Sequence, residues 1–238
     1  MSTDRRFFLR NSALLAGVAA AGAPLVVAAN ADGPPPATAP APYEVKPLPF
    51  DPTKIPGLSE KLLVSHHDNN YAGAVKRLNA IAAQLAGLDW ATAPTFVVNG
   101  LKREELIATN SMILREHYFN GLGGDGKAGG TLAKAIATDF GSMDRWRAEF
   151  SAMGKAEGGG SGWVILSYSP HNNRLVNSWA SDHTTTLAGG RPVLVLDMYE
   201  HAYHMDYGAK AGAYVDAFMS GIRWDYSEKL LDGYVRGA

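Results

Sequence analysis

The stretch Asp197-Met198-Tyr199-Glu200-His201-Ala202-Tyr203 lies where a strand-like run gives way to a helix-like one. Residues 191–196 are rich in aliphatic side chains, whereas apolar residues from Tyr199 to Ile222 recur at helical spacing. Asp197 and His201 are four residues apart, so both side chains can converge on one point at such a corner. A carboxylate and an imidazole are ordinary ligands for iron, manganese or zinc, although this spacing alone is a weak signal.

Two long helical stretches precede this corner. Apolar residues recur at helical spacing from Leu58 to about Leu85, with Ser59 placed to cap the first turn. Asn99-Gly100 predicts a break, and Leu101–Phe119 predicts a second helix. These two stretches predict a helical hairpin.

The segment between the hairpin and the corner mixes helices and strands. Short helices are expected over Thr131–Phe140 and Ser142–Met153, and strands over Gly162–Tyr168, Arg174–Ala180 and Arg191–Leu196. The chain is therefore expected to be α+β. Its N-terminal antiparallel helical hairpin would precede a C-terminal domain with a small three-stranded antiparallel sheet and flanking helices.

Composition narrows the possible functions. The 238 residues carry a formal net charge of −1, so the chain as a whole lacks the basic charge that is typical of nucleic-acid-binding proteins. The absence of cysteine excludes a disulfide scaffold, a zinc–thiolate site, an iron–sulfur cluster and a thiol nucleophile. Any metal must therefore be held by nitrogen and oxygen donors, for which the chain offers seven histidines.

The first 31 residues are predicted to be a targeting segment rather than part of the fold. Arg5-Arg6 and the apolar stretch Ala13–Ala29 resemble a twin-arginine export signal, and Ala29-Asn30-Ala31 offers a cleavage site. An uncleaved membrane anchor is the alternative. We expect a periplasmic or secreted bacterial protein with no stable membrane partner after cleavage. Residues 32–48 predict a Pro-rich linker, residues 49–123 the hairpin domain and residues 124–238 the C-terminal domain.

Four stretches together resemble the iron/manganese superoxide dismutase family: Leu58–Asn79 with His66-His67, His117–Asn120, Gly160–Trp163, and Asp197–Tyr203. They occur in the family's order, and the resemblance extends from about Tyr43 to Tyr234. It implies one iron or manganese ion bound by His66, His117, Asp197 and His201, with a solvent molecule in a fifth position. The implied activity is disproportionation of two superoxide anions to O₂ and H₂O₂.

The resemblance also assigns residues around the ligands. Most members place a glutamine against the metal-bound solvent, from either of two positions, which here hold Ile113 and His183. We expect His183 to take that role, and its presence favours iron over manganese. Trp163 and Tyr199 are expected to wall the metal pocket.

Several positions depart from the family's pattern. Ala74 stands at the usual gateway tyrosine, so Tyr71 is the expected substitute; His67 is a second possible ligand if His66 does not bind the metal. Asn70 and His204 replace a His–Tyr pair that links two subunits, and we expect them to contact each other in its place.

Glu200 resembles the glutamate that pairs with a ligand histidine of another subunit, which implies a homodimer or higher homo-oligomer. Lys210 is the expected substitute for an arginine that steers the superoxide anion, because Ala211 stands at the arginine's own position.

Two alternatives remain at this stage. A catalytically impaired, exported metal-binding relative would keep the ligands and lose turnover, which the changed positions 70, 74 and 204 leave open. A metal-dependent hydrolase could use a similar set of ligands, but zinc cannot cycle between oxidation states and no oxyanion-hole motif is evident.

Overall fold

The computed structural model describes residues 41–236, so the predicted export segment lies outside the described residues. The helices are α1 Glu60–Ser65, α2 Ala72–Ala86, α3 Thr95–Asn120, α4 Gly130–Phe140, α5 Met143–Ala156, α6 His204–Tyr207, α7 Ala211–Ser220 and α8 Trp224–Arg236. The strands are β1 Trp163–Ser169, β2 Arg174–Ala180 and β3 Arg191–Asp197. The predicted α+β class, with its small antiparallel sheet, is confirmed.

The sheet has the order β2-β1-β3, with β1 antiparallel to both neighbours. Six of the seven residues of β1 are buried, because helices cover the central strand. Register pairs Trp163, the first residue of β1, with Asp197, the last residue of β3. The sheet thereby places an indole beside the carboxylate of the predicted corner.

The hairpin forms as expected, with α2 packed against α3 and the Ser59 side chain accepting a hydrogen bond from Leu62 N–H. Between α1 and α2, residues His66–Tyr71 form a π-helical turn. Such turns are rare and cluster at functional sites, because they add a residue and re-aim the side chains that follow. The first histidine of the predicted site opens this turn.

Two predicted helix boundaries are wrong. Asn99-Gly100 does not break the chain: α3 begins at Thr95 directly after Pro94 and runs through both residues. A glycine inside a helix costs only about 1 kcal/mol, which tertiary packing readily outweighs. The closing helix expected from Tyr199 is interrupted by a 3₁₀ turn at Glu200–Ala202 and by Gly208, whose φ of 53° ends α6.

The described part of the expected linker is bound to the hairpin. Tyr43 and Asn79 exchange two hydrogen bonds of 2.8 and 2.9 Å. The backbone N–H of Lys46 donates to the Tyr71 hydroxyl at 3.0 Å, and its ammonium pairs with Glu116. Residues 43–46 thus lie along both helices of the hairpin.

Helix α5 packs closely on the sheet and on α7 at Gly154. A Cβ atom at this position would lie 2.8 Å from Leu196 Cδ2 and 3.1 Å from Val215 Cγ2, both on fully buried side chains. Only glycine allows this approach. Within residues 41–236, no helix is long and apolar enough to cross a membrane.

Replacing Gly154 by alanine is expected to lower the free energy of unfolding by about 1–3 kcal/mol, because the added methyl overpacks a dense core. Gly100→Ala is the matched control: Gly100 lies in α3 and is exposed, and a methyl group added there would meet nothing within 4 Å beyond the backbone of its own helix. That change should raise the free energy of unfolding by about 0.5–1 kcal/mol. Urea titration measures both, and a Gly154→Ala protein as stable as wild type would contradict this packing.

Candidate metal centre

Three donor side chains from distant parts of the chain meet at the strand-to-helix corner. His66, Asp197 and His201 each offer a ligand atom, and these atoms all lie within 4.8 Å of one another. Asp197 Oδ2 is 3.1 Å from His66 Nε2 and 3.7 Å from His201 Nε2. The first residue comes from the hairpin and the other two from the corner, so the cluster joins the two parts of the fold.

The surrounding backbone fixes the orientation of Asp197. Its Oδ1 accepts a hydrogen bond from the N–H of Tyr199 at 2.9 Å, and its carbonyl accepts one from the Tyr214 hydroxyl at 2.7 Å. Oδ2 is buried, makes no hydrogen bond and faces the two histidines. One carboxylate oxygen is therefore held by the fold, and the other is directed at the cluster.

The charge states of the cluster call for a cation. Burial is the main cause that lowers the pKa of His66 to about 4, so its imidazole is neutral at pH 7. Burial alone would raise the pKa of Asp197, but its close polar contacts with His201 and His66 and the positive charge of Arg115 hold it well below its usual range. A buried, ionised carboxylate 3.1 Å from an imidazole nitrogen is stabilised by a positive group placed beside both.

In this structure the positive group is the guanidinium of Arg115, a residue only 3% exposed. Its Nε is 3.2 Å from His66 Nε2 and 3.6 Å from Asp197 Oδ2, and its Nη2 is 2.9 Å from His201 Nε2. Arg115 therefore contacts all three donor side chains.

The guanidinium is also fixed from its other sides. It donates to the hydroxyl of Ser111 one turn earlier in α3. The carbon of the guanidinium lies 5.5 Å from the ring centroid of Trp163 and 5.9 Å from that of Tyr199, within the range of cation–π attraction. Arg115 is thus an ordered part of the site.

The expectation that His117 belongs to the cluster is wrong in this structure. Residues two apart on an α-helix point about 200° away from each other, so His117 and Arg115 cannot face the same point. The Nδ1 of His117 is instead 3.0 Å from the Tyr226 hydroxyl on α8. Burial lowers the pKa of His117 to about 4, which makes it a neutral, partly buried packing residue.

The three remaining donors fit a metal ion. Donor atoms about 2 Å from one ion lie about 3–4 Å from one another, as these do. Two imidazoles and one carboxylate on one face of an ion also form a recognised iron-binding set. The fourth donor implied by the sequence is absent from the cluster, because His117 contacts Tyr226 and the guanidinium of Arg115 beside the other three has no lone pair to offer a metal.

A cleft of about 400 Å³ leads from the surface to the cluster. Its described lining includes Asn70, Ala74, His183 and Tyr199, and two arginines, Arg77 and Arg115. None of these lining residues is acidic, although Glu104 pairs with Arg77 and Asp197 lies beside Arg115. The two guanidinium groups are the cationic groups that a small anion would meet in this cleft.

His183 lies in the cleft on a stack of aromatic rings. Its Nδ1 accepts a hydrogen bond from the indole N–H of Trp163 at 3.1 Å, which leaves the ring proton on Nε2. Its ring stacks on Tyr199 at 4.8 Å between centroids, and Tyr199 stacks in turn on His201 at 5.3 Å. The predicted walls of the pocket, Trp163 and Tyr199, thus connect His183 to the cluster.

Two residues that the sequence predicts near the metal lie away from the three-donor cluster. The hydroxyl of Tyr71 is 3.0 Å from Glu116 and binds the backbone of Lys46, so Tyr71 faces away from the cleft and its gateway role is wrong. His67, the second possible ligand, has Nε2 2.8 Å from the Lys46 carbonyl and Nδ1 2.7 Å from Asp68. The π-helical turn explains both positions, because it changes the angle between successive side chains.

Three further residues share a second surface depression. Glu200, His204 and Lys210 line it together with residues of the loop after α5, and all three are exposed. Lys210 is therefore not a lining residue of the cleft that reaches the cluster. The roles of Glu200 at a subunit interface and of an Asn70–His204 contact stay predictions, since one chain does not test them.

The sequence of α3 contains a helical pattern that indicates an inward position for Arg115, although the family motif at His117 indicates a different residue. Seven residues of α3 are buried, and four of them recur at helical spacing: Ala108, Ser111, Met112 and Arg115; His117 falls outside this stripe. Projection of the helix would have placed Arg115 on the inward face. Arg77, the other arginine of the cleft, belongs to the pair Lys76-Arg77, which the sequence alone indicates as a solvated helix face; Arg77 is exposed and also lines the cleft.

Comparison with known proteins agrees with the geometry. Residues 128–230 match the family model described as the C-terminal domain of iron/manganese superoxide dismutases. A "Superoxide dismutase [Fe]" of Cupriavidus metallidurans is 71% identical over 82% of this chain and 98% of its own length. A "Superoxide dismutase [Mn] 1" of Halobacterium salinarum is 37% identical over 77% of this chain and 92% of its own. The chain belongs to the iron/manganese superoxide dismutase family.

Proposed function

We propose that this protein is a superoxide dismutase, which converts two superoxide anions to O₂ and H₂O₂ with one metal ion per chain. The observation that carries the proposal is the convergence of His66, Asp197 and His201 on one point at the end of a cleft that two arginines line. Family membership supplies the reaction, and the cluster supplies the place where it can occur.

Iron is the proposed metal, with manganese second. The relative at 71% identity is named for iron, whereas several haloarchaeal relatives at 33–37% identity are named for manganese. An iron or manganese ion held by the three donors would supply the one-electron couple that superoxide dismutation requires.

Other residues of the chain have the remaining roles, which are charge balance, attraction of the substrate and proton transfer. Asp197 contributes the negative charge that balances a bound cation, and Tyr199 N–H and Tyr214 hold its carboxylate and carbonyl in place. Arg77 lies in the cleft, where it attracts the superoxide anion and is itself anchored by Glu104. His183, neutral because burial lowers its pKa to about 4, presents a proton on Nε2 beside the cluster.

A second candidate function is a catalytically impaired metal-binding relative. The observation that favours it is Arg115, which occupies the side of the cluster where a fourth donor was expected. Turnover measured per bound iron separates the two: a full dismutase shows rapid turnover for each ion, whereas the impaired relative binds metal without it.

The ligand assignment predicts opposite results for two groups of histidine variants. His66→Ala and His201→Ala should lower metal affinity by at least ~100-fold and abolish dismutation, since loss of an outer partner of a ligand already costs ~10–100-fold. His117→Gln should keep both, because its ring faces Tyr226. Elemental analysis and a superoxide assay on reconstituted protein measure the outcome, and loss of metal in His117→Gln would contradict the assignment.

His183 is predicted to act on the proton rather than on the metal. His183→Ala should retain the bound metal and lose about 10²-fold or more in turnover, the usual contribution of a positioned acid–base group. His171→Ala is the matched control, because His171 lies exposed in the turn between β1 and β2. Equal dismutase activity of the two variants would show that His183 has no role in proton transfer.

We also propose that the protein is exported by the twin-arginine route, on the strength of Arg5-Arg6 and the weakly apolar segment that follows. Residues 1–31 fused to a reporter that folds in the cytoplasm should carry it across the membrane. Replacement of both arginines by lysine should stop transport, and unchanged transport would exclude this route.

A further inference from the structure

Arg115 makes the contacts that a metal ion at this site would make. We propose that its guanidinium competes with the metal for His66, Asp197 and His201, and thereby sets how tightly this chain binds its metal. The inference rests on the proposed metal site and concerns the affinity of that site, whereas the proposed function concerns its turnover.

The competition is for the same lone pairs. Arg115 donates from Nε toward His66 Nε2 at 3.2 Å, and its Nη2 lies 2.9 Å from His201 Nε2. An imidazole nitrogen that accepts a hydrogen bond has its lone pair in use and cannot bind a metal at the same time. Metal binding therefore requires these two contacts to break.

Charge adds to the competition. A guanidinium stays protonated in proteins, so Arg115 brings a permanent positive charge to within 3.6 Å of Asp197 Oδ2. It already neutralises the buried carboxylate, which otherwise would depend on the metal for its counter-charge. A metal ion entering beside Arg115 would also meet like-charge repulsion over a few ångströms in a poorly solvated site.

Helix α3 offers no substitute donor at this position. His117 would have to turn by about 200° around the helix to replace Arg115, and its ring is fixed by Tyr226. The cleft, in contrast, gives the guanidinium a place to move, because Arg115 forms part of its lining. Metal uptake would then displace Arg115 toward the cleft at the expense of its contacts with Trp163 and Tyr199.

Two variants of Arg115 test the proposal by equilibrium dialysis against Mn(II), with elemental analysis of the protein. Arg115→Leu removes the charge and adds no donor, and Arg115→His adds a donor as well. Both should bind Mn(II) about tenfold or more tightly than wild type, because a unit positive charge beside the ion is gone. Arg115→His should approach one ion per chain at concentrations where wild type remains mostly empty.

Thermal unfolding gives a second readout that is independent of activity. EDTA should lower the Tm of wild type less than that of either variant, because Arg115 balances Asp197 without metal. EDTA should lower the Tm of both variants, and Mn(II) should restore it. If Arg115→Leu is unfolded without metal, recovery of its circular dichroism on addition of Mn(II) would support the proposal, and failure of both variants to recover would overturn it.

The matched control is Arg147→Leu. Arg147 also lies on a helix and is partly buried, but it donates to the carbonyls of Met219 and Gly126 and touches none of the three donors. Its loss should not raise affinity for Mn(II). Wild type that binds one Mn(II) per chain as tightly as Arg115→Leu would overturn the competition. Tighter Mn(II) binding by both variants, with no dismutation by metal-loaded wild type, would support it and count against the proposed function instead.

Discussion

A single buried carboxylate constrains this structure. Asp197 is fully buried and ionised, and one of its oxygens is directed at two imidazoles without a hydrogen bond of its own. A buried charge of this kind costs several kcal/mol unless a positive group lies against it. The fold must therefore bring a cation to the end of β3, and the way it does so connects the helical hairpin, the sheet and the closing helices.

Elements far apart in sequence are arranged around that requirement. The register of β1 against β3 sets Trp163 beside Asp197, and the π-helical turn aims His66 at it from the hairpin. The backbone N–H of Tyr199, just after the strand, holds the carboxyl group itself, and the hydroxyl of Tyr214, from α7, holds the backbone carbonyl of Asp197. The site is thus positioned mainly by backbone geometry and by buried hydroxyl and amide groups.

Two kinds of cation can satisfy the carboxylate, and they have different consequences. The guanidinium of Arg115 stabilises the fold without any cofactor, but it carries no electron. A metal ion stabilises the same group and also supplies redox chemistry. A site built in this way balances the stability of the metal-free chain against affinity for the metal, because the same donors serve both.

The sequence alone determined the fold class, the hairpin, the three strands and three of the four expected donors, because these depend on local periodicity and on a compact motif around the corner. It named His117 as the fourth donor because the motif His117-Tyr118-Phe119-Asn120 resembles the family's pattern in letters. Tertiary structure decided otherwise, since α3 packs its stripe of Ala108, Ser111 and Met112 inward and carries Arg115 with it. Arg115 and His117 point about 200° apart around α3, so the rotation of the helix about its axis decides which of them faces the site. Only the contacts of the helix with the rest of the molecule fix that rotation.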